Sequence, residues 1–129
     1  MVSWFMGMPA GADFPIEAGK AYLIYMKRDV VDDVWFEGIL QGATIDLAEG
    51  LNLVSLPGAE DGFDYTSHDM LQDLGTDQQV YSLRRYTPGN GWEMTAWFNS
   101  LPTGAFYSTS KGEGYLVNMK QAKSNWRPY

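Results

Sequence analysis

The sequence predicts an all-β fold, a sandwich or barrel of short antiparallel strands with one short helix over about 67–74. Three observations carry that reading. Short apolar runs rich in aromatic and β-branched residues alternate with Gly, Pro, Asn and Asp turn signals along the chain. One stretch alone joins a helix start signal to apolar residues at helical spacing. And the chain repeats itself: residues 1–27 align without a gap on 94–120, with eleven identities in 27 positions, where chance gives about two. The 129 residues read as a single β domain holding about 1.4 copies of a 93-residue unit.

Taken in order, residues 1–6 read as a short strand, because the matching Gly91–Phe98 is plainly one. Residues 7–20, rich in Gly, Pro and Ala, read as an irregular connection closed by a turn at 17–20. Ala21–Lys27 is a strand with apolar groups on both faces, which places it centrally. Val34–Leu40 is a further strand, punctuated by Gly38 and Gly42. Ala43–Ala48 sets Ile45 and Leu47 against Thr44 and Asp46, the alternation of a strand with one wet face. Leu51–Leu56 follows and stops at Pro57-Gly58. These three strands, joined by short links, read as a meander.

Thr66-Ser-His-Asp69 is a capping box, in which a hydroxyl and a carboxylate satisfy the first free amides of a helix. Met70, Leu71 and Leu74 supply its apolar side, and Gly75 can take the left-handed conformation that ends it. Gln79–Tyr86 and Trp92–Phe98 flank Thr87-Pro-Gly-Asn-Gly91, a β-hairpin with strong turn chemistry. Leu101–Ser110 repeats the irregular connection and Gly114–Lys120 the central strand. Asn125-Trp126 sits where Val34-Trp35 sits after the first copy, two residues nearer.

Composition narrows the function. A formal charge of −7 repels phosphate backbones and anionic lipid, so nucleic-acid partners are not expected. No apolar run reaches the ~18–20 residues that span a bilayer as a helix, so no membrane insertion is expected. The absence of cysteine removes thiolate catalysis, cysteine-ligated zinc and disulfides. No basic stretch leads into an apolar segment at the start, so no signal peptide is expected within the chain.

Certain residues resemble a known module. Gly19-x-x-Tyr22-Leu23-Ile24-x-Met26, then Ile45-x-Leu47-x-x-Gly50-Leu-Asn-Leu-Val-Ser-Leu-Pro57, resembles a β-rich repeat of large secreted and surface bacterial proteins. There, a Gly-Lys-Gly-Tyr-Trp-Ile-like strand precedes a Gly-Trp-Asn-Leu-Val-x-x-Pro strand. Gly112-Glu-Gly-Tyr-Leu-Val-x-Met119 fits the first half again. Leu23, Leu51 and Leu116 stand where Trp is usual. The resemblance implies an extracellular or cell-surface, non-catalytic accessory module, partnered by other domains of a parent protein or by a surface partner. It brings no catalytic residues with it.

The chemistry-bearing residues agree. His68 is the single histidine and falls in the capping sequence, so it reads as a solvent-facing first-turn residue. Glu37, Asp46, Glu93 and Glu113 fall on or beside strands, where a glycosidase pair requires two carboxylates at a set separation; solvated strand faces explain them better, and the chain is not expected to be an enzyme. No cofactor is expected. Glu60, Asp61, Asp64 and Asp69 offer oxygen ligands for calcium, as do Asp29, Asp32 and Asp33, but neither group has helix–loop–helix spacing, and acid-rich surface loops are the simpler account.

Aromatic residues offer the alternative function, a carbohydrate-binding module using tryptophans as sugar-stacking platforms. Trp97, Trp4 and Trp92 are its candidates, with Tyr86 opposite Trp92 as a cross-strand aromatic pair. If Trp92, Met94, Ala96 and Phe98 face inward, Trp97 faces out; the competing account packs Trp4 and Trp97 under the Gly/Pro-rich connections that follow them. Tyr22 and Tyr115 read as core tyrosines whose hydroxyls need backbone partners. Strand edges left open by an unfinished repeat favour self-association.

Overall fold

Turn chemistry and alternation lay out ten elements in the computed structural model, which describes residues 1–17, 19–22, 24, 44–56, 65–110 and 112–128. In chain order they are β1 (Val2–Phe5), β2 (Met8–Gly11), β3 (Ile45–Leu47), β4 (Gly50–Ser55), α1 (Ser67–Leu74), β5 (Val80–Thr87), β6 (Gly91–Phe98), β7 (Leu101–Gly104), β8 (Gly114–Met119) and β9 (Lys123–Trp126). The fold is all-β: every strand pair is antiparallel, and among the described residues the sheets are open and α1 is the one helix. The main sheet has the order β4-β8-β5-β6-β7, with β1-β2 and β3-β9 as two-stranded sheets.

The helix is where the cap requires it. Thr66 accepts the Asp69 amide at 3.2 Å, and the Asp69 carboxylate accepts the Thr66 amide at 3.0 Å. Met70, Leu71 and Leu74 are buried against the inner face of the main sheet, in one cluster with Val54, Leu83, Tyr115, Val117 and Met119. Gly75 ends the helix at φ 144°, not in the left-handed helical region. A Cβ there meets the Gln79 side chain, so glycine is required all the same. The last carbonyls, of Asp73 and Leu74, accept the Lys123 ammonium, a cation from β9 placed at the negative end of the helix.

Several sequence expectations are corrected. The connections at 7–20 and 101–110 are not wholly irregular: each opens with an edge strand, β2 and β7, that carries a proline where the strand needs no donor. β3 and β4 do not pair as neighbours in a meander, since β3 pairs with β9 and β4 with β8. The alternation in β3 is as expected, with Ile45 and Leu47 buried and Asp46 exposed. The expected strand at 34–40 lies outside the described residues, as does most of 21–27.

The duplication is visible in local structure. Val2↔Gly11, Ser3↔Ala10, Trp4↔Pro9 and Phe5↔Met8 pair in β1–β2; Thr95↔Gly104, Ala96↔Thr103, Trp97↔Pro102 and Phe98↔Leu101 pair in β6–β7, each shifted by 93 positions. Both turns, Met6-Gly7 and Asn99-Ser100, hold two residues at positive φ, as tight two-residue hairpins require. Ala12 donates to the Met1 carbonyl and Ala105 to that of Met94. Further on, the Glu17 amide donates to the Tyr22 hydroxyl at 2.9 Å, and the Ser110 amide to that of Tyr115 at 2.8 Å.

The copies then diverge. β8 lies centrally between β4 and β5, and Tyr115, Val117 and Met119 are buried. The first copy meets the outer side of β4 through a bridge at Lys20↔Val54, with no strand over the described residues 19–22 and 24. One slot exists between β4 and β5, and the second copy fills it.

Candidate functional site

Register across the β5–β6 hairpin assembles the densest polar cluster among the described residues. The turn sets Tyr86 opposite Trp92, and so Arg85 opposite Glu93. Arg85 Nε donates to Glu93 Oε2 at 2.7 Å, and Arg85 Nη1 lies 3.6 Å from Glu113 Oε2. Its guanidinium carbon sits 3.9 Å from the Tyr107 ring centroid, a cation–π contact. The Tyr115 hydroxyl donates to Glu113 Oε2 at 2.6 Å while accepting the Ser110 amide, and Thr87 donates to Glu93 at 3.3 Å. Burial pushes the Tyr107 phenol up to about 12 and raises that of Tyr115 further.

The network holds structure together where the β5–β6 hairpin runs past the helix. Two of the sequence-flagged carboxylates, Glu93 and Glu113, are brought to one guanidinium, with Oε2 of each engaged, Glu93 by Arg85 and Thr87 and Glu113 by Arg85 and Tyr115. Tyr107 carries no signal in the sequence, whereas Arg85 belongs to the arginine doublet Arg84-Arg85, expected to answer acidic groups within the fold or to meet an acidic partner. The hairpin turn alone pairs Arg85 with Glu93, so the signal was there in the register.

Sheet parity decides the tryptophans. Thr95 is fully buried, and Trp97, on the same face of β6, is half-buried against the core. Trp97 therefore faces inward, opposite to the outward orientation considered from sequence, because Trp92, Met94 and Phe98 occupy the outer face and are exposed. Tyr86 and Trp92 form the cross-strand pair, 58% and 54% exposed, with ring centroids 5.5 Å apart and planes inclined by 68°. Trp4 occupies the β1 position equivalent to Trp97 and pairs in register with Pro9. Sequence candidates Tyr86 and Trp92 thus come together; Trp97 lies on the other face of the sheet.

No known protein family, characterised protein or solved structure matches the chain.

For the remaining candidates, Asp69 has its carboxylate engaged by Thr66 in the helix cap, while Glu60, Asp61, Asp64, Glu37 and Asp29, Asp32 and Asp33 lie outside the described residues. Among the described residues no three His, Asp or Glu side chains converge as a metal site. Asp46 accepts the Asn125 amide at 2.8 Å and helps tie β9 to β3. His68 is half-buried, edge-to-face with Phe106 at 5.0 Å, where the sequence placed it in solvent. No described helix is long and apolar enough to cross a membrane.

Proposed function

We propose that the chain is a non-catalytic structural and interaction module of the extracellular, surface-associated bacterial kind that its sequence resembles. One observation carries the reading: a single hairpin design occurs twice, once built into the main sheet as β6–β7 and once as β1–β2, a separate two-stranded sheet. Phe5 and Met8 of that second hairpin are exposed, as are Met94 and Phe98 on the outer face of the main sheet. Exposed apolar side chains on strands are suited to contact with another protein surface. The function is contact between folded units, within a parent protein or at a surface.

A second reading, sugar binding, is favoured by the exposed Tyr86–Trp92 pair. The 68° inclination lets one ring at a time lie flat under a sugar face. Tryptophan emission titrated with a panel of soluble polysaccharides separates the two. The interaction module predicts no saturable change, and a loss of no more than about 1 kcal/mol of stability in Trp92→Ala, from the cross-strand ring contact. A saturable shift that Trp92→Ala abolishes would install the sugar-binding reading instead. Glycan turnover lost in Glu93→Gln or Glu113→Gln would contradict a non-catalytic role altogether.

A further inference from the structure

We infer that the outer face of the main sheet docks an apolar polypeptide segment that carries a carboxylate, and that Arg84 receives the carboxylate. The inference rests on the interaction-module reading and names its surface and its partner.

Successive residues of a strand point to opposite faces, so β5 divides its arginine doublet between them. Arg85 points to the helix side, where Glu93 and Glu113 meet it. Arg84 points outward, in register with Met94 of β6 on one side and Leu116 of β8 on the other. It is half-buried, and its Nε is closed off from solvent without a hydrogen-bond partner. Among the described residues its guanidinium has no ion pair. A permanent cation set between apolar side chains, with a shielded N–H unbonded, is a costly arrangement that an incoming carboxylate relieves.

The strands themselves supply no counter-ion. The chain has sixteen acidic residues, yet Glu93 is the one carboxylate within the five strands of the main sheet, and it points to the other face. Around Arg84 the outer face presents Tyr86, Trp92, Met94, Phe98 and Leu101, all exposed. Such a face is complementary to apolar side chains bracketing an acid. Elsewhere a chain of charge −7 repels an acidic segment, which confines recognition to this face. Apolar neighbours that exclude water strengthen the carboxylate–guanidinium contact they surround.

Other occupants fit less well. A second copy docking face to face brings apolar groups but no strand carboxylate, and a two-fold axis near Arg84 sets guanidinium against guanidinium. A sugar chain finds stacking rings at Tyr86 and Trp92, but the apolar surface runs on through Met94 and Phe98 to Leu101, where hydrocarbon side chains are the better match. Strand addition at the β7 edge is hindered, because Pro102 has no amide to offer a newcomer. The partner therefore lies across the face.

The surface is tested on the full chain with random peptides displayed on phage. Peptides enriched on the parent are expected to set Asp or Glu between apolar or aromatic residues, and Arg84→Glu is expected to select Lys or Arg at that place instead. In fluorescence anisotropy, a synthetic copy of an enriched peptide should bind Arg84→Met at least about tenfold more weakly than the parent, and Met94→Lys likewise, while both variants still unfold cooperatively. Enrichment without acids, or binding indifferent to Arg84→Glu and Met94→Lys, would overturn the inference. So would polygalacturonate displacing the peptide through a tighter contact with Arg84, which gives the face to an acidic glycan. A concentration-dependent mass in light scattering that Met94→Lys abolishes would give it to a second copy. Peptides that bind elsewhere on the chain remove this surface and leave the interaction-module reading standing; the polysaccharide and turnover measurements decide that reading separately.

Discussion

Thr66 and Asp69 show how a few atoms place an element. Each satisfies an amide that the first helical turn leaves free, so Thr66→Ala should lower stability by about 1 kcal/mol in chemical denaturation. The hydroxyl and amide of Thr66 hold the Asp69 carboxyl below its ordinary 3.8. A carboxyl whose folded pKa is depressed contributes stability above its unfolded pKa and loses it as pH falls through the folded one. Acid titration of stability should therefore be shallower below about pH 4 in Asp69→Asn than in the parent; equal slopes would detach the carboxylate from the cap. This helix was legible in sequence to its ends because every signal is local. Lys123, which caps its carbonyls from 49 and 50 residues away, was not, since only tertiary structure brings β9 there.

Among elements, equivalent sequences meet unequal surroundings. Tyr22 and Tyr115 both accept an amide from five residues upstream, but Tyr115 is fully buried and Tyr22 is not. The same contrast holds for Ile24 and Val117. Val117→Asp puts a charge into the core and should cost more than about 4 kcal/mol, whereas Ile24→Asp should stay within about 0.5 kcal/mol in thermal or denaturant unfolding of the monomer. Equal costs would place the first copy in the core after all. From sequence, alternation in β3, the β5–β6 hairpin and β8 could be read because each follows a period of two with turn residues at its ends. β2 and β7 could not, because Pro9, Pro102 and their small neighbours are poor strand formers held by pairing to one side. The inward aim of Trp97 was equally hidden: both faces of β6 carry large apolar groups, so parity needed the position of the helix to fix its sign.

At the scale of the molecule, a duplicated segment meets a single vacancy. The all-β class follows from many short alternating runs, but the sequence does not say which copy occupies the centre. The structure places 114–119 there, between β4 and β5, with Glu113 beside Arg85, where the first copy has Lys20. Before it in the chain lies a preformed hairpin, β1–β2, and among the described residues that follow it Phe14 and Ile24 are exposed while 19–21 bond to the outer edge of β4. Hydrogen exchange on the intact protein at low concentration tests this most directly, by comparing the amides of Val117 and Ile24. The account predicts that Val117 exchanges only through global unfolding, while Ile24 exchanges orders of magnitude faster through local opening. Equal protection at the two positions would mean that both copies are core strands, and would contradict it.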